Sequence, residues 1–503
     1  MTNCNFYAVL EQSFAANASR PALELVTGET CTYADLDREV ARCAATLDDL
    51  ALRRGDRVAV QIEKSPQSLF LYLACLRAGL VYLPLNTAYR LAEVSYFLSD
   101  AEPALIVCSP SNEAGMQKLV KDAALRASVL TLDDAGSGSL AEAVASARAD
   151  FSTAVVEPDE LAVIVYTSGT TGRSKGAMLS HRNLSSNARV LIDYWRFTRD
   201  DVLLHTLPIF HVHGLFVANH CALLSGARVL WRGRFDVKAA LQDLPHATVM
   251  MGVPTYYTRL LADPVFGRRT CTNVRLFISG SAPLLFDTFR EFQSRTGHTI
   301  LERYGMSEAG MIASNPLDGE RRGGTVGFPL PGVRVRVADS HDHPLPAGAT
   351  GAIQIKGENV FAGYWRNPEK TCEEFTADGW FRTGDVGMFD DDGYLSIVGR
   401  AKDLIITGGY NVYPKEIELV IDAMPGVIES AVVGVSHPDF GEAVTAAVVL
   451  DPKAVPLSEA VVIAQLKDLL ANYKVPKRVH FLPELPRNAM GKVQKNLLRQ
   501  RLS

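Results

Sequence analysis

One stretch constrains this chain more than any other: Thr167-Ser168-Gly169-Thr170-Thr171-Gly172-Arg173-Ser174-Lys175-Gly176, directly after the apolar run Leu161–Tyr166. Such a run reads as a buried strand, so the loop leaves the end of a sheet and is no open linker. Its glycines let backbone N–H groups converge on an anion, its hydroxyls donate to phosphate oxygens, and Lys175 adds a mobile positive charge. The spacing is not that of a Walker A loop, because no Gly-Lys-[Ser/Thr] triplet follows the first glycine at the required distance. A phosphate-bearing ligand on an α/β body is therefore expected, with a nucleotide chemistry other than Walker's.

The flanking pattern agrees. Thr32 followed by Asp35 reads as a helix N-cap, with Leu36, Val40, Cys43, Ala44 and Leu47 recurring on one face. A strand at 58–62, a helix at 68–78, a strand at 81–85, a helix at 91–98 and a strand at 105–108 follow, which means βαβ units around a largely parallel sheet. From Gly327 the pattern changes to short β runs, with Asp392-Gly393 as a hairpin signal. After Gly399-Arg400-Ala401-Lys402-Asp403 it changes again, to a compact αβ unit of domain size. The expected fold class is α/β: a large N-terminal αβ body with parallel sheets over 1–398, including a β subdomain at about 325–398, and a small C-terminal α+β domain over 404–503.

Composition narrows the partners. The 503 residues are 47% hydrophobic and 21% charged, which leaves no long stretch to be read as disordered. A net charge of −5 argues against nucleic acid or an anionic membrane as the bulk partner, so the ligands are expected to be small molecules, with no obligate protein partner evident. Eight scattered cysteines without a Cys-x-x-Cys pair fit a reducing compartment. The first 20 residues carry neither a signal-peptide nor a transit-peptide pattern, and no window approaches the ~18 apolar residues of a membrane span, so the expected location is cytoplasmic.

With four further blocks the loop becomes specific. Tyr304-Gly305-Met306-Ser307-Glu308, Thr383-Gly384-Asp385, Gly399–Asp403 and Pro486-Arg487-Asn488-Ala489-Met490-Gly491-Lys492 occur in order over 167–492. Together the five blocks resemble those of the adenylate-forming enzymes: acyl-CoA synthetases, luciferases and peptide-synthetase adenylation domains. The resemblance implies an AMP-forming acid–thiol ligase using ATP, Mg2+ and coenzyme A. It implies that Thr167, Ser168, Gly169, Thr170, Thr171, Gly172, Lys175 and Ser307 hold phosphates, and that Glu308 is catalytic and coordinates the metal. Ser281, Ala282, Pro283, Glu302 and Tyr304 would border adenine, with Asp385 and Arg400 at the ribose. Lys492 would be the adenylation lysine. The same resemblance makes 399–403 a hinge, with Lys402 and Asp403 at the pivot of a mobile small domain. Gly408, Gly409 and Tyr410 would meet coenzyme A.

The fold leaves the acid open, so it must be argued from residues beside the motifs. A fixed cation in a pocket is a poor neighbour for a fatty tail and suits a second carboxylate. Arg303, directly before Tyr304, and His211, in Phe210-His211-Val212-His213-Gly214, are the candidates. Both segments closely resemble those of the malonyl-CoA synthetases, in which the corresponding Arg and first His bind the distal carboxylate. The expected activity is malonyl-CoA synthesis, with methylmalonate as a possible second substrate. Two alternatives stand beside it: a short-chain monocarboxylate acyl-CoA synthetase, and a stand-alone adenylation enzyme that loads a carrier protein. Taken without the resemblance, Arg303 reads sooner as the partner of a neighbouring acid, while His211-x-His213, with no third ligand nearby and side chains that alternate in direction, is a weak metal signal, so His211 is expected as a substrate donor and His213 as packing behind it.

Overall fold

The structure is a computed structural model, described here for residues 3–167, 174–407, 410–438, 440–455, 457–488 and 491–503. Among these residues the strands form four sheets. The first runs, in spatial order, Ser128–Thr131, Leu105–Cys108, Arg57–Gln61, Val81–Pro84, Leu161–Thr167 and Lys175–Ser180. All its pairs are parallel except the last, which the phosphate-loop segment connects. The second sheet is longer: Phe328–Pro329, Gly310–Ser314, Leu301–Met306, Leu276–Ser279, Val249–Gly252, Val202–His205, Arg228–Trp231, Pro21–Glu24 and Thr30–Thr32. Its middle is parallel and its ends antiparallel.

Local chemistry accounts for the elements. The helix Tyr33–Asp49 starts at a capping box between Thr32 and Asp35 and buries Leu36, Val40, Cys43, Ala44 and Leu47, as its periodicity requires. The helix Pro66–Ala78 is capped by Ser65, opens with proline at its first turn and ends at Gly79 with φ +71°. It is apolar nearly all round, with Leu69, Leu71, Tyr72, Leu73 and Leu76 buried. That suits its place in the core shared by the two large sheets.

Two smaller sheets follow. Arg334–Ala338, Gly351–Lys356, Phe381–Phe389 and Leu395–Arg400 form an antiparallel meander, and Gly393 at φ +86° turns the last hairpin. A separate C-terminal domain is built on Tyr410–Val412, Ile405–Thr407, Gly441–Leu450, Val427–His437 and Arg478–Phe481, with its own apolar core of Ile417, Ile421, Val432, Val448 and Leu466. Its last helix, Lys495–Leu502, is fastened at two points: Lys495 to Glu418 at 2.6 Å and Arg499 to Asp403 at 2.7 Å. No cysteine is in a disulfide, and among the described residues no helix is long and apolar enough to cross a membrane.

Candidate functional site

The two strands that flank the phosphate loop end with Thr167 opposite Lys175. Ser168, Gly169, Thr170, Thr171 and Gly172 lie outside the described residues. Thr167 donates from its hydroxyl to Glu308 Oε1 at 3.4 Å, and the same oxygen accepts from the Tyr364 hydroxyl at 3.2 Å. Lys175 pairs with Glu374 at 3.6 Å, its ammonium 4.7 Å from the centre of the Tyr364 ring. Glu308 and Ser307 occupy the turn between Leu301–Met306 and Gly310–Ser314. Glu308 is buried, and burial raises its pKa. Ser307 beside it is half-buried.

On the strand Leu301–Met306 alternate residues point to opposite faces. Tyr304 donates to Asp385, whose other carboxylate oxygen takes Arg400 Nε at 2.7 Å, so three of the motif blocks meet at one carboxylate. Burial raises the Asp385 pKa and Arg400 opposes it. Glu302 is also buried and accepts from the Gly324 amide at 3.1 Å and from the Leu284 amide. Burial pushes its carboxyl up to about 8. Ser281, Ala282 and Pro283 form the turn that leads from the strand Leu276–Ser279 to Leu284, and Ser281 holds φ +71°.

Arg303 lies between these groups in sequence and is 5% exposed. No carboxylate pairs with it among the described residues, and its Nε and Nη2 have no hydrogen-bond partner. Burial pushes the guanidinium down to about 9, which still leaves it cationic at neutral pH. The reading of Arg303 as the partner of a neighbouring acid is thereby excluded. Around it stand His211, whose buried Nδ1 is unpartnered, and His213, whose Nδ1 lies 3.3 Å from the Ser281 hydroxyl and whose Nε2 is unpartnered. Burial, with Lys492 and Arg303 nearby, pushes the His211 imidazole down to about 3, so it is neutral. No cluster of three or more His, Cys, Asp or Glu able to hold a metal occurs among the described residues.

Lys492 reaches the same cleft from the C-terminal domain. Its side chain is exposed by area, yet its charge is felt by Arg400, Asp385, Arg303 and Glu308, so the exposed surface opens onto the cleft. Burial of the ammonium within the surrounding protein, with Arg400 adding to it, lowers its pKa to about 8. Tyr410, in contrast, is 57% exposed and stacks on Tyr473 with ring centres 4.6 Å apart. Gly408 and Gly409 lie outside the described residues. Lys402 is exposed, and Asp403 is held by Arg499.

Two residues of the site have roles that the sequence reading did not assign. Tyr364 was without a signal, because its partner Glu308 is 56 residues away and a lone tyrosine reads as core. Gly280 matters through what it lacks: a Cβ there would stand 2.4 Å from the Arg303 guanidinium carbon.

Comparison with known proteins gives the family. The chain matches the AMP-binding enzyme family over residues 10–365 and the AMP-binding enzyme C-terminal domain over 416–492. The crystal structure of ATP-bound MatB from Rhodopseudomonas palustris superposes with a TM-score of 0.96 at 54% identity, over 99% of each chain. A sulfoacetate–CoA ligase of Cupriavidus necator is 37% identical across 93% of this chain and 92% of its own. A malonate–CoA ligase of Arabidopsis thaliana is 35% identical across 89% and 78%.

Proposed function

The chain belongs to the AMP-binding enzyme family of adenylate-forming acyl-CoA ligases, and from that premise we propose that it joins malonate to coenzyme A through malonyl-adenylate. The observation that carries the choice of acid is Arg303: a buried cation with two donor atoms unpartnered and no carboxylate beside it among the described residues. A buried guanidinium left so is costly, and a planar anion that accepts from both nitrogens removes the cost. Two of the relatives agree in kind, since sulfoacetate and malonate each carry a second anionic group.

In the first half-reaction one carboxylate oxygen of malonate attacks the α-phosphorus of ATP; an acyl–phosphate bond forms, the bond to the β-phosphate oxygen breaks, and pyrophosphate leaves. Arg303 and His211 hold the distal carboxylate, which leaves the reacting one free to point at the nucleotide. Thr167, Lys175, Ser307 and the glycine- and hydroxyl-rich residues between 168 and 172 hold the phosphates. Ser281, Ala282, Pro283, Glu302 and Tyr304 border adenine, and Asp385 with Arg400 holds the ribose. Lys492, cationic in its protonated form, stands where negative charge gathers on the α-phosphate.

The donor chemistry at Glu308 suits a hard divalent cation: one carboxylate with two hydroxyl oxygens beside it, next to the phosphate-loop flank. Mg2+ held there would neutralise phosphate charge. In the second half-reaction the coenzyme A thiol loses its proton and its sulfur attacks the acyl carbon, expelling AMP. Lys492 then has to leave and Tyr410, with Gly408 and Gly409, to enter, by rotation at 399–403. Pyrophosphate release and thiol loss, measured with ATP, Mg2+ and malonate, methylmalonate, sulfoacetate, acetate, butyrate or succinate, test the reading. Malonate should lead with both signals present; a lead by acetate or butyrate would refute the dicarboxylate assignment.

A further inference from the structure

Behind the acid-binding wall lies a second buried cation that the reaction itself does not use. Lys64 follows the strand Arg57–Gln61 and precedes the capped helix Pro66–Ala78. It is 9% exposed and has no carboxylate partner among the described residues. Its ammonium lies 2.8 Å from His205 Nδ1, 2.9 Å from the His205 carbonyl and 3.1 Å from the Leu207 carbonyl, and 4.4 Å from the centre of the Trp231 ring. An ammonium has three N–H donors, and here it meets three acceptors and an aromatic face. Burial and the nearby Arg232 press its pKa down, while this complement of acceptors favours the charged form. Arg232 is itself engaged with Asp243 at 2.6 Å.

The contacts are informative because of where they lead. If His205 Nδ1 accepts from Lys64, Nε2 carries the ring proton, and it lies 3.0 Å from the Gly214 carbonyl. Lys64 therefore holds the start of the segment 205–214 directly and its end through the His205 ring. In between, the segment folds tightly, since a Cβ on Gly214 would come within 2.1 Å of the Pro208 carbonyl oxygen, and the Leu215 amide donates to the His211 carbonyl at 2.9 Å. His213 opens a π-helical stretch, His213–Ala218, a geometry concentrated at functional sites. The segment so clamped is the one that carries His211 and His213 to Arg303.

We propose that Lys64 is a positioning residue for acid recognition: its ammonium fixes the segment 205–214 so that His211 meets the far end of the substrate beside Arg303. This rests on the malonate reading above. Lys64→Met keeps the aliphatic stem and removes all three donors. Steady-state pyrophosphate release should show the malonate KM of K64M raised by about tenfold to a hundredfold, with the ATP KM within about twofold of wild type. His205→Leu, which cuts the link to Gly214, should show the same split. An unchanged malonate KM in K64M overturns the proposal, and so does an equal loss of ATP affinity or of folded protein in both variants. A wild-type enzyme that prefers a monocarboxylate refutes the malonate reading instead, and the same KM comparison with that acid still decides the role of Lys64.

Discussion

Gly280 and Arg303 share one space: a Cβ on Gly280 would stand 2.4 Å from the guanidinium carbon. The Gly280 backbone does not adopt positive φ, so alanine is excluded there by volume and not by conformation. Gly280→Ala should displace the guanidinium and lower kcat/KM for malonate by about tenfold to a hundredfold, with the ATP KM unchanged and the fold retained. Kinetics with both substrates, alongside a melting curve, read the three quantities together.

Removing the cation itself should be more severe. Arg303→Ala leaves the distal carboxylate desolvated and unpaired, at about 2–5 kcal/mol, roughly a thirtyfold to few-thousandfold loss in kcat/KM. Acetate has no distal carboxylate, so whatever slow turnover it supports should be spared. An Arg303→Ala enzyme with wild-type kcat/KM for malonate would refute the assignment.

Lys492 and Lys402 should fail in opposite half-reactions. Lys492→Ala should lower the rate of adenylation by about 10²–10³-fold with little change in ATP binding, and spare thioester formation from supplied malonyl-adenylate. Lys402→Pro should do the reverse, because fixing φ at the pivot hinders rotation and leaves the present arrangement intact. Single-turnover assays of each half separate the two, and equal loss of both halves in Lys402→Pro would sink the hinge assignment.

Acidity at the site should be visible in rate profiles. Lys492 titrates near 8, so its cationic form prevails below that pH and is lost above it. The kcat/KM for adenylation, which reports the free enzyme, should fall as pH rises through about 8. In the kcat profile the fall should move to higher pH, because bound phosphate favours the ammonium.

Glu302 makes a prediction of the opposite kind. Its carboxyl is raised from the ordinary 4.5 to about 8, so between those values the native state holds a proton that the unfolded chain has released. Its contribution to stability is therefore lost as pH rises across that window. Glu302→Gln keeps the acceptor for the Gly324 amide and removes the titration, so its melting temperature relative to wild type should climb between pH about 5 and 8. A constant difference would contradict the burial argument.

What the sequence could disclose follows the range of the interactions. The Thr32–Asp35 cap, the apolar face of its helix and the Asp392-Gly393 hairpin are local, and all were legible. Strand alternation gave the α/β body for the same reason. Pairings between distant residues were not: Glu308 with Tyr364, or Lys64 with His205 at a separation of 141 residues, depend on the order of strands, which no window contains. Arg303 stood out by charge, but nothing in its neighbourhood told that it would lack an acid or that Gly280 would clear its seat.

The last helix, Lys495–Leu502, is tied to two distant parts of the chain. Arg499 grips Asp403 while Lys495, three residues beyond Lys492, grips Glu418. On the hinge reading, these two ion pairs tie the pivot and the body of the small domain to the helix that follows Lys492, so that rotation at 399–403 would carry the lysine with it. Loosening either strut should blunt that stroke, even though neither touches a substrate.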